Sequence, residues 1–136
     1  MTGASDTIEL FHGYTYSAHP LACAAGLATL DVHASLDLPG RVKRMAPQWE
    51  SAVHGLLDAP HVMDIRNIGL LGAIDLTPRP GAAGARGNAV QAACLEARVL
   101  IRNTGDTLVL SPPLVIEEAQ TAQVFDTIRT ALSQLA

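Results

Sequence analysis

The chain has 136 residues, of which 49% are apolar and 16% charged, with a net charge of −4. That is one domain's worth of chain, and its acidity excludes a nucleic-acid or anionic-membrane surface as its main business. A charged share below the roughly one quarter of ordinary soluble domains calls for either a rich core or apolar surface reserved for a partner.

In chain order, residues 1–19 read as irregular, with a short strand near Ile8–Phe11. A first helix is expected over Pro20–Ser35, opening on a proline whose missing N–H has no partner to lose there. Its Ala22, Cys23, Ala25, Gly26 and Ala28 keep the surface low, so it is built to be buried or to sit at an interface. A second helix covers Pro39–Leu57, with Val42, Met45, Trp49, Val53 and Leu56 on one face; Pro47 either kinks it or starts a new helix. The short basic cluster Arg41, Lys43, Arg44 reads as a solvated face.

Two strands follow at His61–Arg66 and Ile68–Leu76, with Asn67 as a bend or bulge and the second strand apolar enough to be covered on both sides. The Pro- and Gly-rich stretch 77–84 is a loop. A helix over Asn88–Arg98 points Val90, Cys94 and Ala97 inward. Val99–Arg102 and Thr107–Leu110 read as strands joined by a Thr104-Gly105-Asp106 turn, which Asp106 stabilises. A last helix over Glu117–Leu135 carries its acids in the first turn, where the helix dipole favours them, and buries Val124, Phe125, Ile128, Ala131, Leu132 and Leu135.

Cys23 and Cys94 have no CxxC spacing and read as small buried residues in a reducing compartment. Residues 1–10 lack the basic start and apolar middle of a signal peptide. The most apolar run, Leu21–Leu30, is too short to span a bilayer. The expected location is cytoplasmic, without membrane or nucleic-acid partners.

The most informative stretch is His12-Gly13-Tyr14-Thr15-Tyr16-Ser17-Ala18-His19-Pro20. It places hydroxyls and backbone N–H groups beside a helix N-terminus, a good place to hold a phosphate. On residue type alone Thr15 reads first as a turn former and only second as a phosphate ligand, and Arg102 equally forms a surface ion pair. The apolar Val99-Leu100-Ile101 before Arg102 suggests a half-buried guanidinium. His12, His19 and Cys23 fit no common zinc spacing. Ser17 and His19 lack the G-x-S-x-G elbow of a nucleophile. No metal site and no catalytic residue is expected here.

Three ordered blocks resemble the class III (omega) aminotransferases, and together they span nearly the whole chain. They are His12–Pro20, Arg66–Leu76 and Val99–Leu114. The Pro78–Arg86 loop is most similar to the subgroup that pairs pyruvate with beta-alanine or other omega-amino donors. One departure is Ala18, where the family usually has Gly; it is mild unless the position needs positive φ.

The resemblance implies an α/β chain: the end of a fold-type I enzyme's cofactor-binding large domain over 1–37, and its α+β C-terminal small domain over 38–136. That small domain is a mostly antiparallel sheet flanked by helices and preceded by a long helix. The resemblance further implies that Tyr14, by its backbone N–H, and Thr15, by its hydroxyl, reach the pyridoxal 5'-phosphate of the other subunit. Arg102 then clamps the substrate carboxylate, and residues 12–30 carry a homodimer or higher oligomer. The reaction implied passes an amino group from an omega-amino acid or amine to pyruvate.

Such a reaction needs a lysine that bonds to the cofactor and moves the proton. The single lysine here, Lys43, lies between Arg41 and Arg44, off the apolar face. The family's lysine precedes the first matching block. The expectation is therefore a terminal portion of an aminotransferase beginning at an internal methionine, inactive alone, with weak or no cofactor binding of its own. A non-catalytic helix–sheet module acting by protein association is the alternative reading, and the apolar composition fits both.

Overall fold

A computed structural model describes residues 13–135. The expected strand near Ile8–Phe11, and His12, lie outside the described residues. The chain divides into two compact units, Met1–Ser35 and Leu36–Ala136.

In the first unit a turn over residues 15–18 leads into α1 (Pro20–Ser35). The Ser17 N–H donates to the Tyr14 carbonyl at 2.9 Å. Pro20 opens the helix, as expected. Ala18 sits at φ +59°, so the departure from glycine falls on a position that does need the left-handed region. No residue of α1 is buried. Cys23 is exposed rather than buried, because among the described residues of this unit nothing covers the small-residue surface.

The second unit opens with α2 (Leu38–His54). Asp37 caps it, accepting from the Gly40 N–H at 3.2 Å, which satisfies one of the orphan donors of a first turn. The helix runs unbroken through Pro47. Pro47 and Lys43, four residues before it, are both exposed, so the carbonyl that loses its partner lies on the solvated side. Arg41 departs from the solvated reading. It is half-buried and donates to the carbonyls of Val115 at 3.2 Å and Ile116 at 2.7 Å, tying α2 to the approach of the last helix.

Strands β1 (Val62–Ile68) and β2 (Leu71–Leu76) form a hairpin closed at Gly69-Leu70, with Gly69 at φ +55°. Asn67 is no bulge: it pairs in register with Gly72, and the irregularity lies at Val62/Asp64. Helix α3 (Ala85–Glu96) precedes a second hairpin, β3 (Arg102–Thr104) and β4 (Thr107–Leu110). The four strands run in the order β1-β2-β4-β3, each pair antiparallel.

Two edges of the expectation shift. Val99–Ile101 is extended but makes no strand ladder, although Val99 and Ile101 are buried. Ala97 is the C-cap of α3 and exposed, because the helix ends one residue before it.

Helix α4 (Glu118–Ser133) closes the unit, with a capping box between Glu117 and Gln120. Its Phe125, Ile128, Ala131 and Leu132 are buried. They join Trp49, Val53 and Leu56 of the α2 segment, Val90 and Cys94 of α3, and Ile65, Ile74, Leu108 and Leu110 of the sheet in one core. Trp49 and Phe125 meet edge to face at 4.9 Å. Each large side chain here contributes about 1.5–3 kcal/mol by leaving water.

The core covers one face of the sheet only. On β2, Gly72, Ile74 and Leu76 are buried while Leu71 is exposed, so the strand expected to be covered on both sides has one open face. Ile68, 77% exposed, lies beside Leu71 on that face. Among the described residues no single helix is long and apolar enough to cross a membrane.

Candidate functional site

Tyr14 and Thr15 stand exposed in the turn that feeds α1. The helix behind them is 16 residues long and has no acidic side chain in its first turn. Its positive end is therefore not neutralised locally, and Pro20 at the first position costs the helix no hydrogen bond. The exposed Thr15 hydroxyl, backbone donors and a helix N-terminus fit a phosphate dianion.

Arg102 starts β3 on the open face of the sheet, paired with Val109. Its side chain is exposed, not half-buried, because only Val99 and Ile101 of the preceding run turn inward. Strand pairing sets Arg66, Ala73, Val109 and Arg102 in one row across the sheet. The two arginines of that row differ in kind. Arg66 donates to Asp75 at 2.6 and 3.3 Å and to Asp64 at 3.2 Å, and Thr107 donates to Asp75 at 2.7 Å. The Asp75 hydrogen bond raises the Arg66 pKa, and the same bond, then Thr107's, holds the Asp75 carboxyl below its ordinary value. The Arg102 guanidinium has no ion pair or hydrogen bond among the described residues. It is the cation available to an incoming anion.

The hairpin that carries Arg102 is held by a residue the sequence reading placed only in its own turn. The Asp106 carboxylate accepts from the N–H groups of Gly84 at 2.6 Å and of Arg86 and Gly87 at 3.0 Å. These bonds, that to Gly87 first, hold its carboxyl below the ordinary range. Asn103 donates to Asn88 at 2.8 Å and to the Gly105 carbonyl at 3.0 Å. A Cβ on Gly87 would overlap the Gly105 carbonyl oxygen. No local motif announces this, since the partners lie about twenty residues apart. Arg86 is itself buried and donates to the Thr77 carbonyl.

Lys43 is exposed on α2. Burial pushes the Cys94 thiol up to about 11, so it is no nucleophile at neutral pH. Among the described residues no three His, Cys, Asp or Glu side chains gather as a metal site. Tyr14 and Thr15 belong to the first unit and Arg102 to the second.

The family model for class-III aminotransferases matches residues 1–132. The chain belongs to the class-III aminotransferases. An omega-aminotransferase of Caulobacter vibrioides is 52% identical over 135 residues, covering 99% of this chain and 31% of the relative. A beta-alanine–pyruvate aminotransferase of Pseudomonas aeruginosa is 41% identical over 129 residues, covering 95% and 29%. Among solved structures, a PMP-bound aminotransferase from Vibrio fluvialis superposes with a TM-score of 0.83 at 30% identity, covering 93% of this chain and 29% of that one. A thermostable omega transaminase mutant from Pseudomonas jessenii gives 0.82 at 28%, covering 90% and 29%. This class-III chain thus spans about a third of the length of the curated relatives it matches. Its α/β fold, with a small antiparallel sheet, is that of the matching part of these transaminases.

Proposed function

We propose that this chain supplies part of a pyridoxal-phosphate-dependent omega-amino acid:pyruvate aminotransferase: a phosphate grip at Tyr14 and Thr15 and a carboxylate clamp at Arg102. In this reading residues 1–37 end the large domain, 38–136 form the small one, and the turn before α1 serves the cofactor of the partner subunit in a homodimer. The observation that carries it is the presence, in a chain matching the class-III family over residues 1–132, of an exposed threonine turn at a helix start without acidic side chains and of an arginine with no ion pair among the described residues.

The cofactor, when bound, supplies the electron sink for amino-group transfer. The Thr15 hydroxyl and the Tyr14 backbone N–H hold its phosphate. The Arg102 guanidinium orients an amino or keto acid by a two-pronged hydrogen bond that lysine cannot reproduce. Lys43 is exposed on α2 between Arg41 and Arg44, outside any enclosed site in which an amine could be held against a cofactor. The 136 residues alone therefore do not transaminate.

The test is a graft of residues 1–136 in place of the matching segment of the Caulobacter relative. The chimera is expected to transfer an amino group from an omega-amino acid to pyruvate. Thr15→Val weakens cofactor binding about tenfold or more, the loss of one charge-assisted hydrogen bond. Arg102→Leu raises the KM for pyruvate about tenfold or more and leaves the KM for an amine donor without a carboxylate near its starting value. A folded but inactive chimera, or equal losses for both donors and acceptors, contradicts the reading.

A further inference from the structure

We propose that Gln91 and Asn88 of α3 are positioning residues for Arg102: their side-chain hydrogen bonds to the two residues that flank it hold its guanidinium over the open face of the sheet. The proposal rests on the reading of Arg102 as a carboxylate clamp and goes beyond it, to what keeps that clamp in place.

Arg102 stands where a strand is weakest. β3 is three residues long and lies at the edge of the sheet, with β4 as its one neighbour. Its ladder ends at the Arg102–Val109 pair, and Ile101 before it is outside the ladder. The end of a short edge ladder is where local opening is easiest. Backbone groups in an antiparallel pair alternate between facing the partner and facing away. The Gly105-Asp106 turn joins Thr104 to its partner Thr107 as a two-residue hairpin. The N–H and C=O groups of Thr104 and Arg102 therefore face β4, and those of Asn103 and Ile101 face outward, where the sheet has no further strand.

α3 takes that place. The Gln91 amide donates to the Ile101 carbonyl at 3.2 Å, and the Asn103 amide donates to Asn88 Oδ1 at 2.8 Å. Asn88 and Gln91 are three residues apart and so share one side of the helix. Gly87 permits the approach: a Cβ there would overlap the Gly105 carbonyl oxygen and come within 3.2 Å of the Asn103 amide nitrogen. Side chains alternate across a strand. Ile101 is buried and Asn103 half-buried, so tying both to α3 turns Arg102, exposed between them, to the opposite face.

The guanidinium itself has no ion pair or hydrogen bond among the described residues, which leaves its backbone to fix its place. A half-buried Ile101 carbonyl without the Gln91 donor would turn toward water and take the end of β3 with it. A two-pronged hydrogen bond to a carboxylate is strict in geometry, and a displacement of about 1 Å is enough to lose up to about a hundredfold in rate.

Gln91→Met tests this, since it keeps the length of the side chain and removes its donor. In the 136-residue chain, hydrogen exchange of the Arg102 and Val109 amides is expected to quicken about threefold to tenfold, the scale of one lost hydrogen bond. The amides of β1 and β2 are expected to hold within about twofold. Asn88→Ala quickens the same two amides, whereas Asn88→Asp, which keeps an acceptor for Asn103, restores their rates. In the chimera with the Caulobacter relative, Gln91→Met is expected to raise the KM for pyruvate about threefold to tenfold. It leaves kcat, and the KM for an amine donor without a carboxylate, within about twofold. In a chimera already carrying Arg102→Leu it adds nothing further, because it acts through the arginine. The proposal is overturned, with the clamp left standing, by unchanged exchange at Arg102, by equal quickening in β1 and β2, by equal losses for pyruvate and the amine, or by losses that add to those of Arg102→Leu. An Arg102→Leu chimera whose KM for pyruvate is unchanged overturns the clamp itself, and the proposal with it.

Discussion

Ala18 holds φ +59° with a Cβ that the left-handed region penalises, a cost of about 1 kcal/mol. A departure from glycine matters there only where the backbone needs positive φ, and at Ala18 it does. Ala18→Gly should strengthen amide protection across the turn and the first turn of α1 by about 0.5–1 kcal/mol, measured by hydrogen exchange at residues 17–23. Weaker protection in the variant would show that the turn prefers another shape. Asp106 is the opposite case, a residue whose partners no sequence spacing reveals. Its carboxyl is held below the ordinary range by three N–H donors. A depressed folded pKa adds stability that is present above the unfolded carboxylate pKa and is lost as pH falls through the folded value. Asp106→Asn should therefore lower the urea midpoint at pH 7, and should flatten the fall of stability on acidification below the ordinary carboxylate range. A variant with an unchanged acid slope would mean that the cap contributes nothing.

Elements were legible where periodicity was long and one-sided. α1, α2 and α4 follow from runs of sixteen or seventeen residues, with Pro20 and Glu117 marking the starts of the first and last; the Asp37 cap of α2 shows only in the structure. The strands were legible as apolar runs but not in their details. Asn67 looks like a bend, yet the turn falls at Gly69, since only there does the backbone need positive φ. Val99–Ile101 has strand composition but no strand partner, because its burial comes from packing rather than from a ladder. The start of α3 was placed at Asn88 instead of Ala85 because its cap, Asp106, comes from another element. That junction gives a prediction at its own scale. Gly87→Ala forces a methyl onto the Gly105 carbonyl and should cost about 3 kcal/mol, at the upper end of overpacking. Urea unfolding followed by the emission of Trp49, the one tryptophan, reads this directly. A change below about 0.5 kcal/mol, the scale of a surface substitution, would show that the α3–hairpin contact is loose.

For the whole molecule, the high apolar content is divided between a core and exposed apolar surface. One unit has a core built on Trp49, Ile74, Leu108 and Ile128, yet its sheet keeps an open face with Ile68 and Leu71, and α1 buries nothing. The proposed contacts, Tyr14, Thr15 and Arg102, come from the ordered motifs, and the structure adds where they stand. Their exposure was not legible: Arg102 looked half-buried, and the ion pair that occupies Arg66 but spares Arg102 depends on cross-strand register. The central claim is that the chain holds grips for a phosphate and a carboxylate but no amine fit to join the cofactor. Its most direct test is to incubate the purified 136-residue chain with pyridoxal phosphate, reduce with borohydride, digest, and weigh the peptide containing Lys43. The account predicts no more labelling there than on an exposed lysine of an unrelated protein, and no pyruvate-dependent amino transfer. A stoichiometric adduct on Lys43 accompanied by turnover would contradict it.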